Sequence, residues 1–290
     1  MHFKHPFKGA AYIILFGFWS STFLFIAAYN WKLILEFLNR SSIGVRDVFQ
    51  VYLKSNVAKY LPGNVMHYAG RNYLGNKLGW KHSEMAFSSL LEYVFGAGTT
   101  GIIIFLFVAA GLVNIPPQFS PAVDFNRVLV YSAIGSAGGL AIILLLYAYG
   151  HSTGRGILRV ASERIRRRAK QFFSASFLAL NVKLFLISLL CFFLNSLFYF
   201  YLCDLVLDFH IKQGDILSVY SALAIANHSA IVTPGVPGGF GVKESISFLL
   251  ISAYGYPWEP LMISILAYRV VCVLGDFISF LIALFFRGDS

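Results

Sequence analysis

A helix-breaking stretch between Thr233 and Gly241 interrupts an apolar part of the chain. It contains two prolines and four glycines, and a helix cannot continue through it because proline lacks an N–H donor and clashes with the preceding turn. Since apolar segments lie on both sides, we expect this break to lie near or within a membrane. Non-helical backbone is tolerated there only where protein or a water-filled cavity satisfies its polar groups. A new helix is predicted to begin near Val242 and to direct its free N–H groups and Lys243 into such a cavity, which favours an anion.

The composition excludes an ordinary soluble domain. Of the 290 residues, 58% are hydrophobic and only 12% are charged, which is typical of a polytopic helical membrane protein. The apolar runs are long and do not alternate, unlike the strands of a membrane barrel. We therefore predict an all-α membrane helix bundle with two broken, re-entrant hairpins. Residues 1–290 are expected to form a single integral membrane domain, multi-pass in the plasma (inner) membrane.

The positive charge of the chain fits a membrane protein better than a nucleic-acid-binding one. The formal net charge is +10, and cytoplasmic loops of membrane proteins collect Lys and Arg, where they also meet anionic headgroups. No nucleic-acid-binding module accompanies the charge, so we expect no nucleic-acid partner. Cys191, Cys203 and Cys272 show neither a disulfide framework nor metal-ligand spacing. No cofactor or metal is expected.

Apolar runs and basic loops predict the topology. The loop at 150–176 is strongly basic, so the positive-inside rule places it in the cytoplasm. Working back along the chain puts 36–82 inside and the N-terminus outside, although Lys4 and Lys8 favour the opposite orientation. The predicted spans are residues 10–35, 84–112, 128–149, 177–206 and 258–286, and the predicted broken segments are residues 36–82 and 216–253.

The two halves of the chain share a plan of span, broken hairpin and span. Arg71 follows Pro62 by nine residues, and Lys243 follows Pro234 by nine residues. Under the predicted topology the two hairpins enter from opposite sides, which is a recurring plan in transporters. We therefore predict an inverted repeat. Its halves are residues 10–112 and 177–286, linked by the span at 128–149 and the basic loop at 150–176.

Two motifs resemble those of a known family. The first is Lys59-Tyr-Leu-Pro-Gly63 with Arg71 downstream, and the second is Pro237-Gly-Gly-Phe-Gly-Val-Lys-Glu244. Over about 20–285 the chain resembles the lysylphosphatidylglycerol synthase transmembrane region. This flippase-like family includes the membrane half of bacterial multiple-peptide-resistance factors and relatives in hopanoid and glycan-assembly pathways. The resemblance implies movement or presentation of an anionic lipid across the bilayer.

The chain also departs from the family pattern. It ends at Ser290, so we expect the soluble aminoacyl-transfer domain to be absent, which argues against lysyl-lipid synthesis. The family often has another span ahead of the first one here. Glu92 is followed by Tyr93 where an arginine is frequent.

Ionisable residues in apolar segments are the candidate binding groups, because a charge at the bilayer centre costs on the order of 3 kcal/mol or more. Lys243, with Glu244 beside it, is predicted to neutralise a lipid phosphate at a helix N-terminus; alternatively, both meet water at the outer interface. Arg71 either clamps a phosphate with its planar fork or faces the cytoplasm from a loop. Lys54 and Lys59 are expected to snorkel to the interface rather than to bind substrate.

Two more charged residues lie inside predicted spans and suggest a pair. We hypothesise an ion pair between Glu92 and Arg269 across the repeat axis. Asp276 and Lys183 are further intramembrane candidates.

Polar residues near the breaks complete the predicted site. Asn56, Asn227 and His228 are expected to cap the broken helices rather than to contact a ligand. The predicted substrate-binding residues, including those that the family motifs supply, are Arg71, Lys243, Glu244, Gly238, Gly239, Gly241, Asn56, Lys59, Pro62, Gly63, Asn227, Glu92 and Arg269.

These features favour a lipid translocase or transporter that handles an anionic lipid in cell-envelope assembly. The candidate substrates are a phospholipid and a polyprenyl-phosphate-linked sugar. No nucleotide-binding motif is present, so the energy source is a gradient or none. One alternative is a membrane enzyme that modifies such a lipid, although no carboxylate pair stands out. Another is an accessory subunit that partners envelope glycan or lipid synthases.

Overall fold

The computed structural model describes residues 6–61, 65–113, 174–232 and 237–286. The chain divides into two compact units, residues 1–114 with 183–290 and residues 115–182. Of the second unit only the start of one helix is described, so the features below belong to the first unit. The predicted span at 128–149 and nearly all of the predicted basic loop lie outside the described residues.

Within the described ranges every regular element is helical, which confirms the all-α prediction. Four helices, α1, α4, α5 and α8, are long and apolar enough to cross a membrane, and they match four of the predicted spans closely. The α-helices are α1 Pro6–Asn39, α2 Val45–Asn56, α3 Met66–Lys77, α4 His82–Ala109, α5 Ala175–Leu207, α6 Ile216–Val232, α7 Val242–Ser252 and α8 Trp258–Phe285.

Both predicted helix breaks are present. Helix α2 tightens into a 3₁₀ turn at Val57–Tyr60 before α3 begins, and a 3₁₀ turn at Pro237–Gly239 precedes α7. Helix α2 packs against α3, and α6 packs against α7, so the chain folds back at each break. We call α2 and α3 the first hairpin, and α6 and α7 the second hairpin. Pro62 and Gly63 lie outside the described residues. Entry of the two hairpins from opposite leaflets, and hence the inverted repeat, stays a prediction.

The first and last long helices pack closely through small residues. Gly275 of α8 lies against Ser20 and Ser21 of α1, and the Oγ atoms of Ser21 and Ser279 are 2.8 Å apart. Small side chains let helix backbones approach within a membrane, where burial of apolar surface provides little driving force. Helix α2 packs against both α1 and α8. This packing places the first hairpin beside the last helix.

The outer faces of the long helices are apolar. Exposed leucines occur on each of them, with exposed fractions of 59% for Leu15, 47% for Leu106, 58% for Leu186 and 55% for Leu281. Apolar exposure on this scale marks a surface that another apolar medium covers. These faces suit contact with lipid chains.

We expect Gly275→Ala to destabilise the α1–α8 packing. An added Cβ would lie 2.6 Å from Ser20 Oγ and 2.9 Å from the backbone nitrogen of Ser21. Overpacking of this kind costs about 1–3 kcal/mol of unfolding free energy, and the thermal unfolding midpoint in detergent micelles measures it.

Gly98→Ala in α4 is the matched control. Among the described residues nothing lies within 4 Å of an added Cβ there, and alanine is the better helix former by about 1 kcal/mol. Gly98→Ala is therefore expected to leave the midpoint unchanged or to raise it. Equal midpoints for the two variants would contradict the close α1–α8 approach.

Candidate anion-binding site

The two helix breaks meet each other. The 3₁₀ turn at Val57–Tyr60 contacts the turn at Pro237–Gly239, and a Cβ on Gly238 would lie 3.0 Å from Cδ1 of Tyr60. Gly238 has a φ of 56°, a left-handed conformation that glycine adopts at little cost. A glycine at this position therefore lets the tip of the second hairpin rest against Tyr60 of the first.

Two cavities adjoin this contact. The first, which we call the Arg71 cavity, has a volume of about 320 Å³, and the second, the Arg269 cavity, has a volume of about 230 Å³. Lys59 and Lys243 line both cavities. Two lysines, one from each hairpin, thus stand between the two spaces.

The cavities gather most of the predicted binding residues. Gly241 lines neither cavity, and Pro62 and Gly63 are outside the described part of the chain. The predicted residues that line the Arg71 cavity are Asn56, Lys59, Arg71, Glu92, Gly238, Gly239 and Lys243, and those that line the Arg269 cavity are Lys59, Asn227, Lys243, Glu244 and Arg269.

Arg71 is held in an aromatic and acidic surrounding. Its side chain is only 3% exposed, and its Nη1 donates to Oε2 of Glu92. The guanidinium lies 3.7 Å from the ring centroid of Tyr52 and 5.4 Å from that of Trp31, which adds cation–π attraction. Tyr52 also donates to Glu92 Oε1 at 2.5 Å. The alternative that Arg71 faces the cytoplasm from a loop is wrong, because the residue is buried on α3.

Asp276 of α8 holds the tip of the first hairpin. Its carboxylate accepts hydrogen bonds from Nδ2 of Asn56 at 2.9 Å and from the hydroxyl of Tyr60 at 2.5 Å, and it pairs with Nζ of Lys59 at 2.7 Å. The expectation that Asn56 caps the broken helix is wrong, because its amide donates to Asp276 instead. Lys59 likewise forms this ion pair rather than reaching only to the interface.

Arg269 ties α8 to the second hairpin. Its Nη2 donates to the carbonyl oxygen of Gly238 at 2.7 Å, and its Nε lies 3.6 Å from Oε1 of Glu244. The second distance is that of an ion pair and is too long for a hydrogen bond. The hypothesised Glu92–Arg269 pair is wrong, since Glu92 pairs with Arg71 and Arg269 with Glu244.

Positive charge exceeds negative charge at the cavities. Among the described lining residues four are basic (Lys59, Arg71, Lys243 and Arg269) and three are acidic (Glu92, Glu244 and Asp276). Each acid is paired: Asp276 with Lys59, Glu92 with Arg71, and Glu244 with Arg269. Lys243 is the remaining cation, and it has no acidic partner within the described ranges.

The second hairpin also brings a histidine to the Arg71 cavity. His228 lies on α6, and its Nε2 is 3.0 Å from Oγ1 of Thr100 on α4. The expectation that His228 caps broken backbone is therefore wrong. Its Nδ1 is buried, and no hydrogen-bond partner for it lies in the described residues. One ring nitrogen of His228, a donor or an acceptor according to the tautomer, is thus left unpaired by the described residues beside the cavity.

Sequence reasoning missed the aromatic residues of the site. Tyr52, Tyr60 and Tyr68 join the charged residues through hydroxyl bonds or ring contacts. Tyrosine is also common at membrane interfaces, so its presence in the sequence did not distinguish these roles. The spacing gives a partial signal, because Tyr60 adjoins the conspicuous Lys59 and Tyr68 precedes Arg71 by one helical turn.

We expect Glu92→Gln to destabilise the protein strongly. The change leaves the buried guanidinium of Arg71 without its counter-charge, and breaking a buried pair in this way costs about 3–5 kcal/mol. Glu36→Gln is the matched control, because Glu36 forms a partly exposed i,i+4 pair with Lys32 that is worth at most about 1 kcal/mol. Thermal unfolding in detergent compares the two variants. An equal fall in the unfolding midpoint for both variants would contradict a larger stabilising contribution from the Arg71–Glu92 pair.

A comparison with protein families confirms the resemblance found in the sequence. The family model described as the lysylphosphatidylglycerol synthase TM region matches residues 6–279. No curated protein and no solved structure matches the chain. The match covers nearly the whole sequence, including both helix breaks and the long apolar helices except the last turns of α8. The chain is therefore an integral membrane protein that belongs to the family of the lysylphosphatidylglycerol synthase TM region.

Proposed function

We propose that the protein binds the phosphate of an anionic membrane lipid at the two cavities and moves that lipid between leaflets. The observation that carries this proposal is the convergence of Lys59, Arg71 and Lys243 on one cavity. Lys59 and Arg71 come from the first hairpin and Lys243 from the second. Family membership supports a role at membrane lipid, and the arrangement of charge supports an anion as the bound group.

Lys243 is the first group that we assign to the phosphate. It stands in the first turn of α7, where the free backbone N–H groups also favour negative charge. A cation in an apolar segment is costly unless it is compensated, and the three acids at the cavities are engaged with other cations. A phosphate at Lys243 would supply the missing negative charge.

The shared wall between the cavities provides a route for transfer. Lys59 and Lys243 line both cavities. A phosphate bound to these two lysines can therefore pass from the Arg71 cavity to the Arg269 cavity while it stays in contact with their positive charges. Asp276 pairs with Lys59 at 2.7 Å. Exchange of this carboxylate for the phosphate would keep Lys59 neutralised, while Asp276 would keep its hydrogen bonds from Asn56 and Tyr60.

We expect Lys243→Gln to slow transbilayer movement of fluorescent phosphatidylglycerol in proteoliposomes by at least about tenfold, since loss of one charge-assisted phosphate contact is worth about 1.5–3 kcal/mol. Quenching of outer-leaflet fluorescence by dithionite measures the rate. Lys212→Gln is the matched control, because Lys212 is exposed in the loop before α6 and lines neither cavity. Wild-type rates are expected for it.

The same liposomes separate the alternatives. Recovery of a covalently changed lipid would contradict the proposal in favour of an enzyme. Rates for wild type that equal those of protein-free liposomes, with firm co-purification of an envelope synthase, would contradict it in favour of an accessory subunit. Equal movement of phosphatidylglycerol by wild type and Lys243→Gln would remove Lys243 from the route.

A further inference from the structure

A third cavity lies between α3 and α4, outside the two charged cavities. This α3–α4 groove has a volume of about 750 Å³, more than twice that of the Arg71 cavity. Tyr73 and Leu90 line it and are 61% and 57% exposed. Its lining is mainly aromatic and aliphatic, and α4 is one of the candidate membrane spans. The groove is therefore an apolar surface on a helix suited to the bilayer.

The groove and the Arg71 cavity share two lining residues. Tyr68 of α3 and Tyr93 of α4 line both. The ring of Tyr68 lies 5.5 Å from the guanidinium carbon of Arg71. These two tyrosines thus form the boundary between a charged space and an apolar one, and their rings offer an apolar body with a polar tip.

The length of the groove matches the tail region of one leaflet. Along α4 the lining runs from His82 to Tyr93, which is roughly 16 Å at the helical rise and about half of the hydrocarbon thickness of a bilayer. Two of its polar residues, Asn72 and His82, contact each other where α4 begins, with Asn72 Nδ2 donating to His82 O at 3.1 Å, and Ser89 is a further polar residue of the lining. The polar pair thus lies at the end of the groove remote from Tyr93, and the remainder of the lining is mainly aromatic and aliphatic.

We propose that the α3–α4 groove binds the hydrocarbon tail of the lipid whose phosphate occupies the Arg71 cavity. The inference rests on the proposed function and adds a second subsite to it. A cavity of about 320 Å³ that contains two lysines and the Arg71–Glu92 pair is too small and too charged to shelter a long tail, because apolar chains gain free energy only where water and charge are excluded. The boundary at Tyr68 and Tyr93 lets the headgroup and the tail lie on opposite sides of the same two rings.

The test is cross-linking in proteoliposomes with phosphatidylglycerol that carries a diazirine in its acyl chain. Peptide mapping by mass spectrometry is expected to find adducts around Ala86 and Leu90. Ala86→Trp fills the groove and is expected to reduce these adducts and the affinity for long-chain phosphatidylglycerol at least about tenfold. Ala109→Trp introduces the same side chain at another exposed position of α4 that lines none of the three cavities, and it is expected to behave as wild type.

A short-chain phosphatidylglycerol controls for the headgroup site. Its affinity is expected to be unchanged in Ala86→Trp, because its phosphate site remains intact. Should Ala86→Trp fail to fold, Leu90→Gln makes the exposed wall polar without added bulk, and it is expected to weaken long-chain binding alone.

The outcomes separate the two proposals. If wild type binds phosphatidylglycerol in a Lys243-dependent manner while the adducts lie elsewhere and the groove variants match wild type, the groove proposal is overturned and the proposed function stands. If wild type binds no phosphatidylglycerol of either chain length, the proposed function fails and the groove proposal falls with it.

Discussion

The carboxylate of Asp276 is the interaction on which the arrangement of the hairpins depends. It lies on an apolar helix that is long enough to cross a membrane, where an unsatisfied charge is costly. Three groups at the tip of the first hairpin, from Asn56, Lys59 and Tyr60, satisfy it. Because these partners lie within five consecutive residues, satisfying the carboxylate fixes the tip against α8. The position of the cavities follows from that docking.

Each half of the chain contains an ion pair between a hairpin and a long helix, and the acid and the base exchange places between the two halves. In the first half Arg71 of α3 pairs with Glu92 of α4, and in the second half Glu244 of α7 pairs with Arg269 of α8. In each case an ion pair joins the second helix of a hairpin to the long helix that follows it. Each pair keeps a charged wall near neutrality, which limits the excess of positive charge among the described lining residues to the neighbourhood of Lys243.

The sequence predicted the elements better than their contacts. Helix boundaries were predictable because apolar runs fix the spans and proline with glycine fixes the breaks, as at Pro237–Gly239. Lys243 was a candidate because a charge in an apolar segment is costly, whereas the sequence favoured snorkelling of Lys59 to the interface and allowed two alternatives for Arg71. Partner choice was not predictable, because it depends on which helix faces lie together. Glu92 was therefore assigned to Arg269 instead of Arg71, and Asp276 was not recognised as the partner of Asn56.

Helix α8 presents the two charged residues that contact the hairpins along a single stripe. Arg269 and Asp276 are seven residues apart, which is two helical turns and roughly 10 Å of axial rise on nearly the same face. Arg269 contacts the second hairpin, and Asp276 contacts the first. A rigid helix cannot move one of these side chains and leave the other in place. Any sliding or rolling of α8 would consequently displace both hairpins and alter both cavities together.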